Sequence, residues 1–567
     1  MARYPWASRG DINAFFGLML DNVAVMIILF TAITTLDPVE KQLEEKFLRF
    51  TPGFVLTRMI PGTALGVLIG DLVYTWMAFR LARRTGRADV TAMPLGLDTP
   101  STFGSAFLVL LPALQQGWTL HQDHAKAMEF AWHVGLITLV MAGVFKLACA
   151  PFGNAIRAAV PKAGLFGSLA AIALALIAFL PMLLDGIAGV PLVGMLALLV
   201  ILITLVAHLE LPGRFPGALA AVLVGVVIYL VGRGLEVYFK VPVTPATEKV
   251  GTAEGWSPFA MIAFGSQGES WWREVFWAAV NKLPVALPFA LATVIGGIDC
   301  TESAAAAGDE YDTRAVLLTE GAASLAAGLL GGVIQTTPYI GHPAYKKMGG
   351  RAAYTLATAL FIGLAGYLGV FHYLFEWLPK GAMFPILVFV GLEITAQAFH
   401  ATDQRHYPAI AFAILPALAY LILIVLKNVY GPAVPARPEA VLTLQTLRCL
   451  ANGFIISGLL WAAGLARILD GRLRSAAGYF AVAGLCALVG VIHSPLADER
   501  LGLPTDVLAS VEVPFRAAVT YQTPYHWAAA YGLMALALVG LSRGRPATEE
   551  TESGRMGEGH TPGRTSP

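Results

Sequence analysis

The stretch MPLGLDTPSTFG, residues 93–104, decides how this chain folds. It interrupts an apolar segment with a Pro-containing, hydroxyl-rich sequence. Pro100 lacks a backbone donor and disfavours helix at Thr99, so the stretch reads as extended up to Pro100 and helical after it. Extended backbone at membrane depth is tolerated only where it is buried in protein or lines a cavity. Thr99, Ser101 and Thr102 can cap the half-helix, leaving its N-terminal amides free for a polar or anionic group, with Asp98 beside them. The alternative is a kinked helix start with ordinary N-cap chemistry.

The setting is a membrane. The chain has 567 residues, of which 57% are hydrophobic and 13% charged; soluble proteins carry about 25% charged residues. Apolar runs of about 18 residues or more recur along its length, as in an all-α polytopic membrane protein. They fall near 13–35, 54–80, 90–113, 127–150, 165–187, 189–211, 216–238, 281–303, 315–335, 339–350 with 352–373, 381–399, 406–429, 447–468, 476–494 and 524–542. A net charge of +1 gives no electrostatic case for nucleic acid. Cys149, Cys300, Cys449 and Cys486 show no CxxC spacing and read as small buried hydrophobes, with no metal site. No phosphate loop, HExxH or GxSxG motif is found, so neither ATP-driven transport, an enzyme nor a cofactor is indicated.

Basic residues fall in alternate short loops: RLARRTGR at 80–87, Arg157 with Lys162, Arg214, and Arg467 with Arg472 and Arg474. The positive-inside rule makes these loops cytoplasmic, together with both termini, as in a bacterial inner membrane. The polar Gly/Pro-rich segment 543–567 reads as a disordered cytoplasmic tail. An outside connection with an amphipathic segment, 241–280, divides the rest into 1–240 and 281–470, followed by extra spans over 471–542. Secondary transporters are often inverted repeats, and paired interrupted segments point to their binding sites. QTTPYIGHPAYKKMGG, residues 335–350, is the counterpart of 93–104. It offers Gln335, Thr336, Thr337 and Tyr339 as hydrogen-bonding groups, Gly341 at the break, and His342, a residue type suited to proton coupling. The remaining candidates are acids in apolar runs. GGIDCTESAAAAGDE, residues 296–310, places Asp299 and Glu302 on one helical face. An intramembrane carboxylate faces a cavity or a partner, or takes up a proton; Glu302 can equally end the helix at the cytoplasm. Asp21, in GLMLDNVAV, is the repeat mate of Asp299. Asn22, Asp71, Lys146, Glu320 and Glu393 are further polar residues in these runs.

GGIDCTESAAAAG, QTTPYIGHPAYKKMGGR, KGAMFPILVFVGLEI (380–394) and YPAIAFAILPALAYLIL (407–423) together resemble the nucleobase–cation symporter family of xanthine/uracil permeases, within it the adenine/guanine/hypoxanthine branch. The resemblance covers roughly residues 10–470. It implies a seven-plus-seven inverted repeat with broken third and tenth helices carrying short strands. It also implies a core domain rocking against a gate domain, and a homodimer. By position it makes Asp299, with Glu302 close by, the eighth-helix acid, and puts Gly341 or His342 where the family has a glutamate. The expected activity is proton- or sodium-coupled symport of a purine-like base by alternating access. Asp98, Thr99, Ser101, Thr102, Thr336, Thr337, Tyr339, Gly341 and His342 would line the pocket with Asp299 and Glu302, and Asp299, Asp21 and His342 would couple the ion. The alternatives are an anion transporter on the same fold, of the sulfate, bicarbonate or carboxylate kind, and a non-transporting scaffold or sensor.

Overall fold

A computed structural model describes residues 4–34, 48–153, 161–180, 182–183, 191–207, 209, 211, 217–239, 268–339, 341–371, 380–430, 440–496, 501–511 and 513–543. The tail beyond 543, most of the 241–280 connection, Arg157 and Arg214 lie outside the described residues.

Apolar composition without interruption makes long helices, because the helix satisfies its own backbone where no water can. Seven described helices are at least 18 residues long and apolar enough to cross a membrane. They include Gly10–Thr34, Pro52–Thr85, Leu283–Ala306 and Arg516–Arg543. The protein is an all-α polytopic membrane protein. The expected run at 447–468 is two helices, Val441–Ala451 and Phe454–Leu469, bent by 73°. The bend sits at Gly453, whose φ of +70° favours glycine. Asn452 stabilises it by donating from Nδ2 to the carbonyls of Ser494 and Leu496 at 2.7 Å each.

The chain forms two compact units. The first comprises Met1–Ala158 and Ile177–Val390, the second Ala159–Leu176 and Gly391–Pro567. In the first, small residues let helices approach closely. A Cβ on Gly66 would stand 2.7 Å from that of Ala327, and one on Gly143 would stand 2.8 Å from the Leu325 nitrogen. In the second, the Leu473–Leu488 and Pro524–Arg543 helices pack on each other. Trp461 Nε1 donates to the Tyr531 hydroxyl at 2.6 Å, and that hydroxyl meets His493 Nε2 at 2.6 Å. His493 also bonds the Cys449 carbonyl and stacks on Trp527. This polar knot joins the C-terminal helices to the bent pair.

The two Pro-broken stretches meet in the first unit. β1 (Leu95–Leu97) pairs antiparallel with β2 (Thr336–Pro338), with Gly96 opposite Thr337. Flanking bonds run from the Asp98 amide to the Gln335 carbonyl and from the Tyr339 amide to the Pro94 carbonyl, both 2.9 Å. Residues 95, 97, 336 and 338 therefore direct their peptide groups to the outer edges. Side chains from surrounding helices meet them. Asp71 accepts from the Leu95 amide at 3.1 Å, and Asn22 from the Leu97 amide at 3.0 Å. Ser324 Oγ accepts from the Thr336 amide at 3.1 Å, and Lys146 donates to the Thr336 carbonyl at 2.9 Å. Pro338 has no amide proton to leave unpaired, which is the strand position proline tolerates.

Replacing Asp71 by Ala strands the Leu95 amide, which predicts a loss of about 1–3 kcal/mol in unfolding free energy measured in detergent. Asp71→Asn keeps an acceptor at the same place and recovers most of it. Equal losses in both variants would show that the negative charge, not the acceptor, holds the strand.

Candidate functional site

The first half-helix runs over 99–121 and starts as expected. Asp98 is its N-cap, accepting from the Ser101 amide at 2.8 Å. The hydroxyls of Ser101 and Thr102 turn back to the Asp98 carbonyl at 3.2 and 2.8 Å, and Thr99 is half-buried. The Tyr339 hydroxyl donates to the Leu97 carbonyl at 3.0 Å and also meets the Asp21 carboxylate. Its ring fills the space where residue 96 would carry a Cβ, so only glycine fits there. Asp21, Asp98 and Tyr339 thus share one neighbourhood, at the strand ends. Thr337 is buried in β2 beside them.

The second half-helix is much shorter. His342–Lys347 spans six residues behind Gly341, and Pro343 removes an amide from its first turn. An electropositive helix start of the first kind is therefore not duplicated here. On the Leu283–Ala306 helix, Asp299 is half-buried, and Glu302 is exposed within the last turns before the helix ends at Ala306.

Two expected residues belong to other clusters. Thr336 turns its hydroxyl to Ser324 Oγ at 3.0 Å and toward the Glu320 carbonyl. There Lys146, fully buried, pairs with the fully buried Glu320 at 2.9 Å and contacts Ser324 Oγ at 3.4 Å. Both charges stand out in the sequence as intramembrane misfits, but 174 residues separate them, and nothing local marks them as partners.

His342 lies in a buried polar cluster below the strands. Its Nε2 faces the Thr91 carbonyl at 3.1 Å and Asp309 at 3.3 Å. Asp309, fully buried, also accepts from the Thr91 amide at 3.0 Å and pairs with Lys346 at 2.6 Å and Arg87 at 3.2 Å. Arg87 further bonds Asp89 and the Gly308 carbonyl. The peptide leading into β1 is held throughout: the hydroxyls of Tyr4, Tyr311 and Tyr354 donate to the carbonyls of Val90, Thr91 and Ala92 at 2.7, 2.6 and 2.7 Å. Burial pushes the Asp309 carboxyl up, but the bonds from His342, Lys346 and Thr91 outweigh it and hold it below the ordinary carboxylate value.

No family model matches the chain, and no curated protein does. The chain is similar to a number of solved structures, two of which follow. One is the transmembrane domain of BicA, a cyanobacterium bicarbonate transporter, at 16% identity and a TM-score of 0.37, covering 65% of this chain and 97% of that one. The other is SLC26A9, at 13% identity and a TM-score of 0.40, covering 70% of this chain and 68% of that one. The expected membership of the xanthine/uracil permeases is thereby corrected: no family model or curated protein supports it, and neither of these two structures is a nucleobase permease. The physical reason lies in the motifs. Their Pro, Gly and Thr are what any chain needs to break a helix and cap its restart, and the family's glutamate is absent at Gly341 and His342.

Because its carboxyl is depressed in the folded state, Asp309 stabilises the protein fully above the ordinary aspartate value of about 3.9 and loses that contribution as pH falls below it. Amide protection at 88–92, measured against the intrinsic exchange rate at each pH, should fall as pH is lowered and Asp309 is protonated. Asp309→Asn should show the acid-state protection already at pH 6. Unchanged protection in that variant would mean that the tyrosines alone hold the segment.

Proposed function

We propose that this protein is a secondary transporter that moves a small anion together with a proton or sodium ion by alternating access. The observation that carries the reading is the Asp98 carboxylate capping the first half-helix. A helix start presents roughly half a positive charge, which favours an anion. Asp98 places a full negative charge there, and Asp21 adds a second beside Tyr339. An anion is repelled from this neighbourhood unless a cation neutralises a carboxylate first. Cation and anion binding are then linked, and each raises the affinity for the other. Asp299, half-buried on the Leu283–Ala306 helix, is a further acid in the first unit that the cation could engage. His342 and Thr336, engaged with Asp309 and Ser324, serve to hold the strands.

In proteoliposomes, uptake of labelled chloride, hydrogencarbonate or sulfate should rise about tenfold when an inward proton or sodium gradient is imposed. Asp98→Asn retains an acceptor for the Ser101 amide but removes the charge, so uptake should persist and lose most of its dependence on the gradient. Uptake that ignores both gradients in the unaltered protein would defeat the coupling, and no uptake of any anion would leave a scaffold or sensor.

A further inference from the structure

At its far end the first half-helix, residues 99–121, runs into a cluster of aromatic and basic side chains that the transporter reading does not use. His121 stacks on Trp271 with ring centroids 5.0 Å apart, and Trp271 Nε1 donates to His133 Nδ1 at 3.0 Å. His133 stacks in turn on Trp132 at 5.0 Å. Arg58 completes the row, its guanidinium carbon 5.3 Å from the centre of the Trp132 ring and 5.2 Å from that of Phe54. Every member belongs to the first unit.

Aromatic faces attract a cation, but they supply no oxygen for its N–H groups. Arg58 Nη1 is shut off from solvent and has no hydrogen-bond partner among the described residues, and the same holds for His121 Nε2. Buried polar atoms are normally paired, so each such exception points to a missing partner. The partner a guanidinium lacks is an oxygen acceptor, best an anionic one. Arg58 also lies on the stretch Val55–Met59, which is wound as a π-helix. Such turns are rare and concentrate at functional sites.

The adjoining helix indicates what supplies the acceptor. Glu269–Val280 buries Trp271, Val275, Ala278 and Ala279. It turns Arg273, Glu274, Phe276 and Trp277 outward, with Trp277 59% exposed. Charged and aromatic side chains together on an exposed face belong at the boundary between hydrocarbon and water. Leu120, next to His121, is exposed as well. Phospholipid headgroups lie at that depth, with their acyl chains below. A phosphodiester carries one negative charge, and the arginine fork suits its oxygens. We propose that Arg58 and the aromatic side chains around it hold the phosphate of a phospholipid, in the leaflet next to the Glu269–Val280 helix. The phosphate oxygens accept from Arg58, a further headgroup or ester oxygen accepts from His121 Nε2, and acyl chain covers Leu120. This site is independent of what the protein transports.

Native mass spectrometry of the full chain released from detergent tests it, with thermal unfolding alongside. The probes are phosphatidylglycerol, diacylglycerol with the same acyl chains, and inorganic phosphate. Phosphatidylglycerol should stay bound and raise the unfolding temperature, as a ligand of the folded state does. Diacylglycerol, which lacks the phosphate, should bind at least about tenfold more weakly. Arg58→Met keeps an unbranched stem against Phe54 and Trp132 but removes the charge, and should weaken phosphatidylglycerol binding by about tenfold or more. His121→Phe preserves the ring stack without the N–H and should weaken it by about threefold. The deciding quantity is the increment that lipid adds to each variant's own unfolding temperature. A variant that is less stable without lipid but keeps the full increment speaks for a purely structural Arg58 and overturns the site. Equal binding of diacylglycerol overturns it too. An equal increment from inorganic phosphate alone would make the ligand a soluble anion and overturn the lipid assignment.

Discussion

Two three-residue strands at membrane depth set the terms for the first unit. A helix buries its own peptide groups, but a two-stranded ribbon leaves an edge of amides and carbonyls on each side, and hydrocarbon offers them nothing. Each edge group that the fold satisfies draws a polar side chain into the membrane: Asp71 and Asn22 along β1, Ser324 and Lys146 along β2. Lys146 in turn needs a counter-charge, and Glu320 supplies it. The intramembrane charges that look costly in isolation are thus successive consequences of one pair of broken helices. Removing one partner of such a buried pair leaves the other uncompensated, which is far worse than losing both.

The same break determines where chemistry is available. Side chains spent on the strand edges are committed to structure, and His342 and the tyrosines below are committed to the peptide that enters β1. Other polar groups lie at the strand ends and along the flank of the first half-helix. At the ends stand the carboxyl groups of Asp98 and Asp21, beside the start of the first half-helix. Along the flank they are neutral, and mostly hydroxyls. The two half-helices are not equivalent, because one continues to residue 121 and the other stops after six residues.

Much of this was legible in residues 93–104 and 335–350. Proline and glycine punctuate backbone locally, so the breaks, the Asp98 neighbourhood and most helix limits follow from sequence. Asn22, Asp71, Lys146 and Glu320 were visible as polar residues in apolar runs, but not their partners: Asp71 serves an amide 24 residues away and Lys146 a carbonyl 190 residues away. His342 drew attention as a titratable group beside a break, and its engagement with Asp309 and Thr91 depends on loops brought together only by folding. Gln335 looked like one more hydrogen-bonding residue, and only the packed structure shows that its amide oxygen has no hydrogen-bond partner among the described residues.

The sequence by itself determined that the chain spans a membrane many times and that two of its segments cannot remain helical, because hydropathy and the missing proline donors act through neighbouring residues alone. The tertiary structure decided that these two segments pair with each other and which polar side chains are spent on their edges. Those outcomes hang on hydrogen bonds between residues far apart in the chain, and no local pattern encodes them.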